Sequence, residues 1–396
     1  MTSPALPAAE ASPAAAEGPS GLPAVEIIEE GMREGMQIES ADISVAAKVE
    51  LLDALSATGL RHIVVGSFVS ARWVPQMAAI EEILAKFTPN PAVVYTALAL
   101  NAKGVQRRAE FIPPLAPPDE FGRSMVHLCD VFVQRNTART AGDELAALPR
   151  IVQDAAGRGA VAATIAVNAA WGSNWLGEFS QAQRNECIQA QMDAWSAAGI
   201  RTTGIYLGDP MSWNTPRAVR SQTREILRRW PDVRTIHLHL HDGRGAALPS
   251  VYAALRELDS RHKLIIDASV GGMGGCPYCG NGRATKMIPT EDLAHFLEGE
   301  GLGTGIDLTA LIEAAHLAER VVGHELYGRV SKTGPRPGPD ALYPMDMPLI
   351  ETIEQAQHFR LGPQVYAGAP APWKAPIRSA ARDAVAEKTR NEERGR

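Results

Sequence analysis

The sequence predicts a (β/α)8 barrel, that is a TIM barrel, followed by a helical and irregular C-terminal extension. Two observations predict it. Short apolar, β-prone runs alternate with helical stretches eight times, and the alternation fills about 250 residues, the usual length of such a barrel. A doubly wound open sheet has the same local pattern and stands as the alternative. With 396 residues, 45% of them hydrophobic, the chain can bury a sizeable core.

In chain order, residues 1–22 are rich in Ala, Pro, Ser and Gly without hydrophobic periodicity, the composition of a disordered tail. The catalytic barrel is expected over 23–325. Its strands are read at 25–28, 62–65, 93–98, 126–133, 161–167, 204–207, 235–241 and 264–269, where apolar β-prone residues cluster. Helices are read at 45–58, 73–87, 180–198, 215–230 and 246–258, with a further one over 308–321. The remainder, 326–396, is Pro- and Gly-rich before a charged end. It is too irregular for a core of its own and is expected to wrap the barrel or serve a subunit contact.

Charged residues make up 21% of the chain and the formal net charge is -6, without the basic excess of a nucleic-acid-binding surface. No apolar run is long enough to span a bilayer, and the N-terminus lacks the basic and apolar regions of a secretory signal. Four cysteines in so long a chain make no disulfide framework. These features predict a soluble protein in a reducing, cytoplasmic setting that acts on a small molecule rather than on nucleic acid or membrane.

Candidate chemistry gathers at three strand ends. In His239-Leu240-His241-Asp242 the two outer imidazoles, His239 and His241, are two residues apart on a strand and face the same way, as ligands of one divalent metal must. The pair also suits polar residues that merely line a barrel. His237 shares that face one layer deeper and is read as a packing residue. Past the first strand, Arg33-Glu34-Gly35-Met36-Gln37 offers a carboxylate for a metal and a guanidinium for a developing enolate. Such a loop equally suits solvated charges. After the eighth strand, Gly271-Gly272-Met273-Gly274-Gly275-Cys276-Pro277-Tyr278-Cys279-Gly280-Asn281-Gly282 permits close backbone approach to a ligand. Within it Cys276 can carry a proton and Asn281 can offer an amide oxygen to the metal. Cys276 and Cys279 form a CxxC, alone a redox pair or half a zinc site; Cys129 and Cys187 are isolated, which disfavours structural zinc. Strands one, seven and eight are neighbours in a closed eight-stranded barrel, so the three elements converge.

These residues resemble a known family. Arg33-Glu34-Gly35-Met36-Gln37 is similar to the RDGLQ of the 3-hydroxy-3-methylglutaryl-CoA lyases, within the DRE-TIM metallolyases. Ser67-Phe68-Val69-Ser70-Ala71-Arg72-Trp73-Val74-Pro75-Gln76-Met77 resembles their SFVSPKWVPQM. Leu207-Gly208-Asp209 is similar to LGDT, His239-Leu240-His241-Asp242 to HCHD, Gly274-Gly275-Cys276-Pro277-Tyr278 to GGCPY and Thr290-Glu291-Asp292-Leu293 to TEDL. The resemblance spans roughly 25–322. It implies a divalent metal, Mg or Mn before Co or Zn, held by Glu34, His239, His241 and an asparagine, for which Asn281 is the candidate. It implies cleavage of a 3-hydroxyacyl-CoA to acetyl-CoA and a keto product, by a chain expected to be a homodimer. Arg33 would stabilise the enolate and Cys276 would reprotonate it. Gln37 would hold loop and substrate near the metal, and His239 or Asp209, through water, would take the hydroxyl proton.

The chain also departs from that pattern. Glu34 stands for an aspartate and Val64 for a glutamate. Gln134-Arg135-Asn136-Thr137 replaces a small, serine-rich stretch, and Trp171-Gly172-Ser173-Asn174-Trp175-Leu176-Gly177-Glu178 stands against FGCPYEG. The spacing from Cys276 to Thr290 is two residues longer, which bears on the match of Asn281. Arg135 and Asn136 are therefore expected at the substrate, with Trp171 and Trp175 as flat surfaces over the mouth. Kept ligands with altered walls predict the same reaction on a different acyl group. The competing functions are a Claisen-condensing synthase of the isopropylmalate or citramalate type, an aldolase on a free hydroxy acid, and a non-catalytic scaffold. The GGCP thiol loop favours cleavage.

Overall fold

The computed structural model describes residues 21–280 and 282–339. Nearly all of the expected tail, most of the expected extension and Asn281 lie outside the described residues. Among these residues, eight parallel strands form one curled sheet: β1 (Ala24–Glu29), β2 (His62–Ser67), β3 (Val94–Leu98), β4 (Gly122–His127), β5 (Ala162–Asn168), β6 (Arg201–Asp209), β7 (Thr235–Leu240) and β8 (Lys263–Ala268). Their order is β3-β2-β1-β8-β7-β6-β5-β4. This is the (β/α)8 barrel the alternation predicts, with β1, β8 and β7 side by side. Among the described residues no helix is long and apolar enough to cross a membrane.

The helices pack outside the strands: α1 (Val45–Ser56), α2 (Ile80–Lys86), α3 (Ala102–Ala109), α4 (Asp130–Thr137), α5 (Ala141–Gly157), α6 (Gln181–Ala197), α7 (Pro216–Arg229), α8 (Ala247–Leu255), α9 (Thr290–Gly299) and α10 (Leu308–Val322). Their starts are set by local chemistry. Thr140 with Asp143, and Ser180 with Gln183, form reciprocal caps at α5 and α6 that satisfy otherwise unpaired amides. Between the two layers lies the core, where Leu51, Leu55, Ile63, Ile165, Ile205, Leu238 and Ile266 are fully buried.

Two expected elements differ. The run 126–133 is not one strand: β4 ends at His127, and Val131-Phe132-Val133 begin α4, capped by the Cys129 thiol accepting from Phe132 N at 3.4 Å. A short apolar run reads alike for either structure, so the sequence merged a strand end with a helix start. Gln134, Arg135, Asn136 and Thr137 consequently lie on a helix, not in a loop. The helix expected over 73–87 is interrupted: Pro75–Met77 form one 3-10 turn before α2 begins at Ile80.

Below the mouth of the barrel, two buried carboxyls hold the turn that follows β8. Glu29 accepts from Gly31 N at 2.7 Å, from Val270 N at 2.9 Å and from the Thr290 hydroxyl. Glu291 accepts from Gly271 N at 2.9 Å, and Gly328 passes so close that a Cβ there would lie 1.8 Å from its Oε1. Asp292 accepts from the amides of Arg329 and Val330. Burial raises the Glu29 carboxyl to about 7 and the Glu291 carboxyl to about 8. Both are therefore protonated in the folded chain where the unfolded chain has lost the proton. Their stabilising protonation is complete below about 4.5 and is lost as pH rises through 7 and 8. Glu291→Gln, which cannot ionise, should gain on the wild type as pH rises from about 4.5 to about 8 and then level off. The gain at the plateau is expected on the order of 5 kcal/mol, roughly ten degrees in Tm. Thermal melts of the two proteins across that range check it, and a pH-independent difference would contradict it.

Candidate metal centre and active site

Each site residue is placed by a strand end. After β1 the chain makes a single π-helical turn, Gly31–Gly35, that turns Arg33 and Glu34 toward the barrel axis. Gly35 is closely packed: a Cβ there would meet Met273 Cβ at 3.0 Å and Ser269 Oγ at 3.2 Å, so those neighbours would have to give way. His237 and His239 alternate inward along β7, and His241 follows one step past its end. Residues in π turns and at strand ends often mark functional sites in this architecture.

Donor atoms of Glu34, His239 and His241 all lie within 4.8 Å of one another, and all three residues are buried. Nδ1 of His239 donates to Asp267 Oδ2 at 2.7 Å, and Nδ1 of His241 donates to the Thr285 carbonyl. Both contacts fix the proton on Nδ1 and leave Nε2 as a lone pair facing Glu34. Nε2 of His241 is buried without a hydrogen-bond partner among the described residues, 3.8 Å from Glu34 Oε1. A buried polar atom left unsatisfied beside a carboxylate, with a second imidazole lone pair in reach, fits a divalent cation. These residues could hold one. Asn281, the fourth expected ligand, lies outside the described residues.

The charges around this cluster alternate. Asp267 also accepts from His237 Nε2 at 2.7 Å. His237 packs edge-on to Tyr206, with ring centroids 4.8 Å apart, and shares the acceptor Asp267 with the candidate ligand His239. Burial alone would raise the Asp267 carboxyl, but His237 and His239 outweigh it and hold it well below the usual range. Burial likewise opposes charge on His239, yet the Asp267 hydrogen bond outweighs it and holds that imidazole above its ordinary value. Burial and the neighbouring His239 push His241 down to about 4, so it is neutral at pH 7, as a ligand must be. Arg33 donates to both oxygens of Glu30, at 2.7 and 2.8 Å, and to Glu34. Burial opposes its charge, but Glu30 and Glu34 keep it firmly protonated.

The thiol loop closes over the same end. Thr285 joins it to the ligands: its hydroxyl accepts from Cys276 N at 2.9 Å while its carbonyl accepts from His241. Cys276 is 7% exposed and Cys279 1%. The Cys279 thiol bonds with Cys276 and donates to the Pro210 carbonyl at 3.2 Å; the Cys276 contact, with burial, pushes it far above the ordinary thiol value. Cys279 therefore stays protonated. No cysteine forms a disulfide among the described residues.

The remaining expected positions fall as follows. Gln37 is half-buried in the 3-10 turn Met36–Ile38. Asp209 ends β6, and its carboxylate accepts from Trp213 N at 3.0 Å and from Asn214 N and Nδ2 at 2.6 and 2.7 Å. Burial pushes its carboxyl up. Asn136 is exposed on α4. Trp171 does not stand over the mouth: it is 1% exposed and packs in the main core. Trp175, 37% exposed, is the aromatic at the rim. Arg135 donates to the Tyr278 carbonyl at 3.1 Å and lies over the Trp175 ring at 5.4 Å. Sequence reasoning missed Asp267, whose signal was a lone acid after the apolar run Leu264-Ile265-Ile266 of β8, and Glu30 and Tyr206, for which no motif spoke.

Comparison with known proteins agrees with this geometry. The sequence profile of the HMGL-like family matches residues 24–318. A 3-hydroxy-3-isohexenylglutaryl-CoA/hydroxy-methylglutaryl-CoA lyase of Pseudomonas aeruginosa is 33% identical over 312 residues, covering 78% of this chain and 96% of that one. An (R)-citramalyl-CoA lyase of Chloroflexus aurantiacus is 34% identical over 324 residues, covering 79% and 96%. A solved HMG-CoA lyase of Acinetobacter baumannii, in complex with coenzyme A and 3-methylmalate, superposes with TM-score 0.64 at 28% identity over 81% of this chain and 97% of that one. The chain belongs to the HMGL-like family of DRE-TIM barrels. It is an enzyme of the carbon–carbon lyase class.

The ligand geometry makes a direct expectation. His241→Ala should lose bound divalent metal after dialysis. Asp267→Asn, which removes the support behind His239, should keep the ligands but bind about 10–100-fold more weakly. Metal analysis and calorimetric titration with Mn2+ measure both, and wild-type metal content in His241→Ala would contradict the site.

Proposed function

We propose that this chain is a divalent-metal-dependent lyase that cleaves a 3-hydroxyacyl-CoA, 3-hydroxy-3-methylglutaryl-CoA or a C3-substituted analogue, into acetyl-CoA and a keto product. The observation that carries the reading is Thr285, which ties the Cys276 amide and the His241 imidazole to one residue and so puts a thiol beside a ligand cluster. Mn or Mg suits the mixed oxygen and nitrogen donors.

A metal bound by Glu34, His239 and His241 would supply positive charge that lowers the pKa of the substrate hydroxyl. The chain's own residues do the rest. Asp209 takes the hydroxyl proton, through water: the carboxylate has about four lone-pair positions, and its three backbone and side-chain donors leave one. His239, the other residue expected to take that proton, has none of its nitrogens to spare in this reading, because Nδ1 is bonded to Asp267 and the Nε2 lone pair would go to the metal. The carbon–carbon bond then breaks, its electron pair passing to the thioester enolate as the carbinol carbon becomes the ketone. Arg33, held in place by Glu30, sets its fixed charge against the enolate oxygen, where negative charge develops only as the bond breaks. The Cys276 thiol gives its proton to the enolate carbon, which releases acetyl-CoA, and is reprotonated from the base through water.

The acyl group is where this chain departs. Val64, buried on β2, puts an apolar wall where the resemblance has a carboxylate. Relatives at 33–34% identity carry names that span isohexenylglutaryl, methylglutaryl and citramalyl thioesters, which supports a variable C3 substituent within this family. A bulkier or more apolar C3 group is favoured, by about 10–200-fold per methylene-sized change. The test is kcat/KM for a series of C3-substituted thioesters with Mn2+ and after chelation, with acetyl-CoA plus 2-oxo acids as the condensation control. The maximum is expected away from the methyl compound, with Cys276→Ser reduced about 10²-fold or more. Cleavage of none of the thioesters by the metal-loaded enzyme would defeat the proposal.

A further inference from the structure

We propose that Arg135, Asn174 and Cys279 form a three-point clamp that holds the thiol loop closed over the ligand cluster. In this arrangement Arg135 is a positioning residue for Cys276 rather than a contact for the substrate. The proposal rests on the lyase reading in one respect, that Cys276 is the proton donor.

The loop is jointed by glycines. Gly274 and Gly275 precede the thiol with φ 115° and 149°, and Gly280 follows the turn Pro277–Cys279 with φ 83°. These are backbone conformations that side-chain-bearing residues rarely adopt, so the turn hangs between glycine joints. Three hydrogen bonds tie it to the segments that follow β4, β5 and β6, two of them donated to the loop and one donated by it. From α4, Arg135 Nε donates to Tyr278 O at 3.1 Å. From the short hairpin after β5, Asn174 Nδ2 donates to Cys279 O at 3.1 Å. The Cys279 thiol itself reaches Pro210 O, past β6, at 3.2 Å.

The donors are held in turn. The Arg135 guanidinium lies over the Trp175 ring at 5.4 Å. Asn174 Oδ1 accepts from Trp213 Nε1 at 3.0 Å, and Trp213 N donates to Asp209. On its other side the loop is fixed by Cys276 N on Thr285 Oγ1. Arg135, Asn174, Trp175 and Cys279 are also residues of the stretches where this chain departs from the lyase pattern. They come from three separate segments of the chain and meet around one turn.

The chemical consequence is positional. A thiol that protonates carbon must stand within about 3–3.5 Å of it, and a loop that swings open loses that approach. The bond from Arg135 is exposed and modest alone; acting with the other two, it raises the closed fraction of the loop.

The test uses the full-length, Mn-loaded protein. Alkylation of Cys276 by iodoacetamide, followed on its peptide by mass spectrometry, reports loop opening and needs no substrate. Arg135→Ala should be labelled about tenfold faster than wild type, the effect of one charge-assisted hydrogen bond. Asn174→Ala should move the same way, and Arg135→Lys, which keeps a donor for Tyr278 O, should recover part of the protection. On the best thioester, Arg135→Ala should lower kcat and leave KM unchanged. Should Arg135→Ala fail to fold, Asn174→Ala carries the same measurement through an independent bond. Wild-type labelling in both alanine variants would overturn the clamp, and so would a raised KM at unchanged kcat, the signature of a direct substrate contact. If no thioester is cleaved, the lyase reading falls while the labelling still decides the clamp.

Discussion

One carboxylate organises the mouth of this barrel. Asp267, buried at the end of β8, accepts from His237 and His239 on the adjacent strand. That double contact fixes which nitrogen of His239 carries the proton and which lone pair turns inward. The inward lone pair meets Glu34 from the turn after β1 and His241 from the end of β7. Remove the Asp267 carboxylate and His239 can rotate or change tautomer, and the three donors no longer share a focus. The parallel register that sets β8 between β1 and β7 is what brings the pieces together.

The cluster is costly without a cation. Glu30, Glu34 and Asp267 are buried together, against one guanidinium and imidazoles of which His241 is held neutral. Breaking a buried ion pair by removing one partner costs about 3–5 kcal/mol, because a charge is left unmatched in a dry site. A divalent ion held there would satisfy the unpaired Nε2 of His241 and the excess negative charge at once, and its binding free energy would then also stabilise the fold. The same logic explains Arg33. Locked by Glu30 on one side and Glu34 on the other, it cannot swing to solvent, and its charge is in place before an enolate forms.

Much of this was legible in the sequence, because the features that carry it are local and periodic. Alternating strands and helices gave away the barrel. The spacing of His239 and His241, the acid and arginine after β1 and the glycine-flanked Cys276 announced the site at neighbouring strand ends. Residues whose role depends on distant partners were not legible. Asp267 reads as an oddity in an apolar strand until β7 is placed beside it. Arg135 was expected at the substrate, whereas its hydrogen bond reaches across 143 residues to the carbonyl of Tyr278. Trp171 gave no local sign that it packs into the main core rather than over the mouth. The run ending in Val131-Phe132-Val133 is ambiguous in principle, since three apolar residues fit a strand end and a helix start alike.

The central claim is that Glu34, His239 and His241 share one cation, in a geometry set by Asp267. Anomalous diffraction from crystals soaked in Mn2+ tests it most directly. The account predicts one strong peak at about 2.0–2.3 Å from a Glu34 oxygen and from Nε2 of both histidines, with Nδ1 of each still on Asp267 or Thr285. A peak at the Cys276 and Cys279 sulfurs instead, or none at the histidines under saturating Mn2+, would contradict it.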